Sequence, residues 1–203
     1  MRLLILCLLI TGIIYTGIGQ SNFTGGIIAG GSLSQVTGDE AFGYNKASYL
    51  VGVKAGYHFK TRLNIEVEFL YNIKGSARGR RFNYLPYWTL EFKYLEIPLL
   101  IGYKDWRNTK GFYHMVFYGG LSYAKMIDSK LTNPKYEPLM TGNLNKNEFS
   151  FILGATYNVN KHLGFTFRYN RAITKVWENS IVDDRFSRWM KNYQISLAAQ
   201  YMF

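Results

Sequence analysis

From residue 20 onward, hydrophobic and polar side chains alternate with a period of two, the spacing at which successive residues of a β-strand point to opposite faces. Segment 63–74 is the clearest case. Leu63, Ile65, Val67, Phe69, Tyr71 and Ile73 share one face, while Asn64, Glu66, Glu68, Leu70, Asn72 and Lys74 share the other. Segment 163–170 sets Leu163, Phe165, Phe167 and Tyr169 against Gly164, Thr166, Arg168 and Asn170. The final segment sets Tyr193, Ile195, Leu197, Ala199, Tyr201 and Phe203 against Asn192, Gln194, Ser196, Ala198 and Gln200. Segments 48–59 and 148–158 follow the same rule.

Three further segments alternate less cleanly. Segment 23–33 is glycine-rich, and segment 112–127 carries aromatic residues on both faces around Gly119-Gly120. Segment 88–103 changes phase: Leu90, Phe92 and Tyr94 begin on the apolar face, which Leu95, Ile97, Leu99 and Ile101 then occupy. A one-residue bulge near Tyr94-Leu95 reconciles the halves, and Pro98, lacking a ladder donor, suits an irregular strand. The pattern predicts eight strands of about ten to sixteen residues, longer than the ~5–6 of globular strands and enough for the ~9–11 that cross a bilayer.

The connections alternate in length. Segments 60–62 and 160–162 are tight turns and 104–111 is moderate, whereas 34–46, 76–87, 128–147 and 174–190 are long. In an antiparallel meander alternate connections lie at opposite ends, and short turns opposite long loops are the pattern of outer-membrane barrels. Trp88, Trp106, Trp177 and Trp189 fall at or beyond strand ends, where interfacial aromatic girdles form. Tyr201 and the terminal Phe203 supply an aromatic end resembling the signature by which barrel-assembly machinery recognises its clients. The predicted fold is all-β: an eight-stranded antiparallel up-and-down transmembrane β-barrel over residues 20–203. Its apolar rows face lipid and its polar rows face inward.

Composition fits this reading. Only 18% of the 203 residues are charged, while 17% are aromatic. Residues 1–19 read as a secretory signal peptide: Met1-Arg2, an uncharged apolar run to Ile18, and Gly17-Ile18-Gly19 before Gln20. The single cysteine, Cys7, lies in that run, so the exported part has no thiol for a disulfide or a Cys-based metal site. The formal charge of +11 is spread along the chain without a nucleic-acid-binding motif. The inward rows carry Lys54, Glu66, Glu68, Lys74, Glu91, Lys93 and Arg168. Enclosed charges must be paired, which predicts a plugged interior without a wide pore.

The stretch Tyr94-Leu95-Glu96-Ile97-Pro98-Leu99-Leu100 resembles the PorT-like outer-membrane β-barrel family of the Bacteroidetes lineage. The run from Glu66 to Gly75 and the Gly30-Gly31-Ser32 opening strand look similar too, so the resemblance spans the mature chain. It implies an outer-membrane barrel. The family's namesake is associated with type IX protein secretion, which makes an accessory role in secretion one expectation. The family offers no catalytic residues to carry over, and no cofactor is expected.

Two loop clusters combine cations with stacking surface: Arg78, Arg80, Arg81, Tyr84, Tyr87 and Trp88 in one, and Trp177, Arg185, Arg188 and Trp189 in the other. Both are expected at the cell surface. Lipopolysaccharide contact is the plain explanation, and capture of a protein or glycan partner the sharper one. A lipid-modifying esterase or acyltransferase is an alternative, but it needs a nucleophile and a His base within hydrogen-bond reach. His114 and Ser122 share a face at a separation of about 27 Å along one strand. None of His58, His114 and His162 has metal-ligand spacing. A soluble calycin-like ligand-binding barrel would also alternate, but the charges on the polar faces argue against an apolar lumen.

Overall fold

A computed structural model describes residues 22–38, 43–59, 62–78, 88–109, 111–132, 144–178 and 189–203. The expected signal peptide, 1–19, lies outside them. Seven strands follow one another: β1 Phe23–Thr37, β2 Lys46–His58, β3 Leu63–Arg78, β4 Trp88–Arg107, β5 Tyr113–Leu131, β6 Asn147–Asn158 and β7 Leu163–Ala172. A two-residue strand, β8 Trp177–Glu178, precedes the long β9 Trp189–Met202. Each long strand pairs antiparallel with the next, and β9 returns to pair with β1, so eight strands close a barrel. Closure leaves no unpaired edge facing lipid, the condition for a sheet to span a membrane.

The register fixes the barrel's shape. Followed round from Phe23 through Tyr57, Ile65, Ile101, Gly119, Leu153, Tyr169 and Ile195, it returns to β1 at Leu33, ten residues beyond its start. Such a stagger tilts the strands by about 40° and leaves an interior that side chains can fill. Space inside is tight: a Cβ at the inward Gly120 would lie 2.0 Å from the Leu99 carbonyl oxygen.

The two faces divide by solvent. Val67, Phe69, Phe165 and Phe167 are 44–54% exposed on the outer wall, while Glu68 and Arg168 are 1% and 3% exposed inside it. Short connections, 59–62, 108–112 and 159–162, share one end with Phe23 and Met202, the end that barrels of this kind place in the periplasm. Outward rings including Phe23, Phe59, Trp106, Tyr157 and Phe203 gather at that rim.

β4 departs from the expected pattern. It runs 20 residues without a change of phase. Leu90, Phe92 and Tyr94 point into the barrel together with Glu96 and Leu100, not onto the lipid face. The register does shift between Lys93 and Tyr94, but the extra residue is Ile127 on β5. Apolar residues leave the wall for the interior here because β4 and β5 rise beyond the ~9–11 residues that a membrane needs. Above that height water replaces lipid outside, and the inward face becomes the place to bury them.

An arginine at the lipid-facing midpoint of β4, Leu99→Arg, is expected to cost about 2–4 kcal/mol, against roughly 0–1 for Phe23→Arg at the periplasmic rim. Denaturant unfolding in phospholipid vesicles measures both, and equal costs would contradict this placement of the wall.

Candidate functional site

Polar inward residues meet across the lumen in two layers. In the lower layer Arg168 on β7 donates to both carboxylate oxygens of Glu68 on β3, at 2.5 and 2.7 Å, and to the Tyr118 hydroxyl at 3.0 Å. Its guanidinium also lies 5.5 Å from the Tyr118 ring centre. Lys54 on β2 donates to Glu66 at 2.7 Å and to Gln200 at 2.9 Å, and stands 3.6 Å from Glu68. Two cations and two carboxylates thus alternate in one line, Arg168–Glu68–Lys54–Glu66. The paired, two-pronged geometry is the strongest a guanidinium offers.

In the upper layer Glu96 on β4 accepts from Asn72 at 2.6 Å, Ser122 at 2.6 Å and Asn170 at 2.8 Å, with Lys74 at 3.1 Å. Lys74 on β3 also donates to Glu148 on β6 at 2.7 Å. Asn192 on β9 donates to Glu148 at 2.5 Å and to the Tyr94 hydroxyl at 3.1 Å. β3 and β7 face each other across the barrel, as do β4 and β9, so the Glu68–Arg168 and Tyr94–Asn192 links are crossbars.

The structure places Lys54, Glu66, Glu68, Lys74 and Arg168 in this network. Glu91 and Lys93, expected there, are not in it. They alternate with the inward Leu90, Phe92 and Tyr94, remain partly exposed, and pair with Lys46 at 2.5 Å and Asp128 at 2.7 Å. The phase assumed for β4 caused this misplacement. Glu96 and Glu148 take their places. Both lie on the polar side of the alternation, Glu96 between Leu95 and Ile97 and Glu148 beside Phe149.

Above the polar layers the mouth is closed by an apolar cluster of Val36, Leu90, Phe92, Tyr94, Ala124, Met126, Val176, Trp177 and Met190, with Leu144 against it. Trp177, expected on the binding surface, is only 5% exposed within this cluster. β8 explains its burial. Trp177 pairs with Met190, a bridge joins it to Leu144, and Asn145 donates to the Val176 carbonyl at 2.8 Å. This folds two connections over the opening. Trp189 stays 40% exposed at the rim, with the Lys191 ammonium 5.6 Å over its ring. Arg78 ends β3 and pairs in the ladder with Trp88, the first residue of β4. Arg80, Arg81, Tyr84, Tyr87, Arg185 and Arg188 lie outside the described residues.

His114 sits at the periplasmic rim. Its ring nitrogens meet the Asn108 side chain and the Asn158 carbonyl, both at 2.9 Å, and its ring stacks on Tyr157. Ser122 donates to Glu96. Among the described residues the partners of this histidine are Asn108 and Asn158, not a serine.

Removing one member of the lower line strands a buried charge. Arg168→Met is expected to cost about 3–5 kcal/mol, and adding Glu68→Met is expected to recover most of it. A double-mutant cycle from denaturant unfolding measures the coupling; simple additivity would contradict the crossbar.

The fold matches solved outer-membrane barrels. Ail, the attachment invasion locus protein of Yersinia pestis, superposes with a TM-score of 0.50 at 16% identity in its complex with the heparin analogue sucrose octasulfate, covering 90% of this chain and 99% of that one. A second Ail structure gives 0.50 at 17% identity, covering 91% and 100%. OprG of Pseudomonas aeruginosa gives 0.43 at 16%, covering 89% and 94%. No curated protein sequence matches the chain. The family model for the outer membrane protein beta-barrel domain matches residues 5–203. A closed eight-stranded barrel with an apolar outer wall thus agrees with a sequence match over nearly the whole chain, and the protein belongs to the outer membrane protein β-barrel domain family of the bacterial outer membrane.

Proposed function

We propose that this barrel is a non-catalytic scaffold that presents a basic, aromatic extracellular rim to an anionic glycan or protein partner. The observation that carries this reading is the cross-braced, capped lumen. The interior is committed to holding shape, which leaves the loops as the part free to recognise something. Arg78, Arg80, Arg81, Tyr84, Tyr87 and Trp88 form one arm of the proposed surface, and Arg185, Arg188 and Trp189 the other. Cations beside rings suit sulfated or carboxylated sugars, which offer both charge and a face to stack. Ail shares the fold and has been crystallised with a heparin analogue, so a polysulfated glycan is the first ligand class to try. The PorT-like resemblance at residues 94–100 supports a narrower version, in which the partner belongs to a protein-secretion assembly. We assign the outward-facing Tyr201 and Phe203 to recognition by barrel-assembly machinery.

Two measurements test the proposal. Purified protein in a planar bilayer is expected to give no large, steady conductance steps; such steps would refute the plugged interior. On immobilised heparin, replacing Arg78, Arg80 and Arg81 with Gln is expected to weaken capture roughly a hundredfold, at about 1 kcal/mol per cation near an anionic surface. Unchanged retention of a correctly folded variant would exclude this rim as the binding surface.

A further inference from the structure

The outer wall is uniform in polarity but not in relief. Toward the extracellular half of the apolar belt, β1, β2, β7 and β9 border a groove of about 470 Å³, bounded by Gly31, Leu33, Ala47, Phe167, Ile195 and Leu197. Its floor is low because Gly31 and Ala47 contribute almost no side chain. A Cβ at Gly31 would meet nothing within 4 Å. The volume lies in the range of ~300–1,000 Å³ typical of small-molecule sites.

The register fixes what stands above the groove. Leu33 pairs with Ile195, and the next outward residue toward the cell surface on β9 is Tyr193, which pairs with Arg171 on β7. Lys191 follows one outward step later. At the rise of a β-strand these positions stand about 7 and 14 Å along the wall from Ile195. Rings hold both cations: the Arg171 guanidinium lies 5.0 Å over Tyr193, and the Lys191 ammonium lies over Trp189. Among the described residues the outward positions of β1, β2, β7 and β9 carry no carboxylate. Of the acids on β4 and β5, Glu91 is ion-paired with Lys46 and Asp128 with Lys93.

An apolar slot in the hydrocarbon zone beneath two ring-held cations has the two-part chemistry of a lipid. We propose that the groove seats one acyl chain of an outer-leaflet lipid whose anionic headgroup is held by Arg171 and Lys191. A second copy of the chain fits less well. A two-fold interface there would set each basic patch against itself, whereas an anionic lipid neutralises it and fills the slot.

Native mass spectrometry of the protein released from mixed micelles tests the proposal, with dipalmitoyl phosphatidic acid and dipalmitoyl phosphatidylcholine as probes. All variants alter the outer wall, and a heat-modifiable gel shift confirms that each is folded. The native protein is expected to retain one phosphatidic acid in preference to phosphatidylcholine. Arg171→Gln with Lys191→Gln is expected to weaken retention roughly thirtyfold. Gly31→Leu fills the groove and is expected to lower retention with the cations intact. Ala55→Leu puts the same side chain on the wall outside the groove and is expected to leave retention unchanged. Equal retention of the two lipids, full retention by Gly31→Leu or by the charge variant, or equal loss in Ala55→Leu would each overturn the assignment.

Discussion

Everything else in this barrel rests on the requirement that charges enclosed by an eight-stranded wall find partners inside it. The wall supplies backbone hydrogen bonds but no reason to stay round. That reason comes from side chains reaching across: Arg168 to Glu68, Lys74 to Glu148, Asn192 to Tyr94. Each link joins strands far apart in the circle, so flattening or widening the barrel would break ion pairs in a medium that penalises unpaired charge by several kcal/mol. Lipid holds the apolar rows out, and electrostatics holds the opposite walls at a fixed distance. A shape fixed this firmly suits a platform for surface recognition better than a conduit.

Most of this was legible in the sequence because lipid enforces a strict rule. On β3 as far as Tyr71, and on β6, β7 and β9, outward apolar residues face hydrocarbon at every second position, and the alternation alone orients Phe165 outward and Arg168 inward. The rule failed where the strands leave the bilayer. On β4, Leu90, Phe92 and Tyr94 resemble lipid-facing residues because they are large and apolar, yet they pack beneath Trp177 in a cluster that resembles the core of a soluble protein. The apparent slip of phase is a change in the medium outside the wall, from hydrocarbon to water, with the strand itself unbroken. Glu91 and Lys93 were misplaced for the same reason: outside the membrane an outward position is a polar position. Trp177 was beyond pattern reading, since its burial depends on a two-residue strand and a bridge to Leu144 that no local periodicity announces.

The extracellular half is also lopsided in charge. Over β4 and β5 the outward Lys93 and Asp128 neutralise one another, whereas the outward positions of β7 and β9 carry Arg171 and Lys191 over rings and, among the described residues, no carboxylate. A barrel that met its membrane only as a solvent would have no cause for such a difference between its sides. The asymmetry therefore gives the molecule a preferred side within the plane of the membrane, just as its loops give it a preferred end.

The seam between β1 and β9 carries a consequence for biogenesis. It joins the first described strand to the last, from Gly26 with Met202 up to Thr37 with Lys191. No shorter piece of the chain can make it. Until the final strand arrives, the growing sheet has two unsatisfied margins and the Tyr94–Asn192 crossbar lacks its far end. Sealing is therefore a late event, because the two margins it joins are the most distant in the described sequence and both must be in place before either is satisfied.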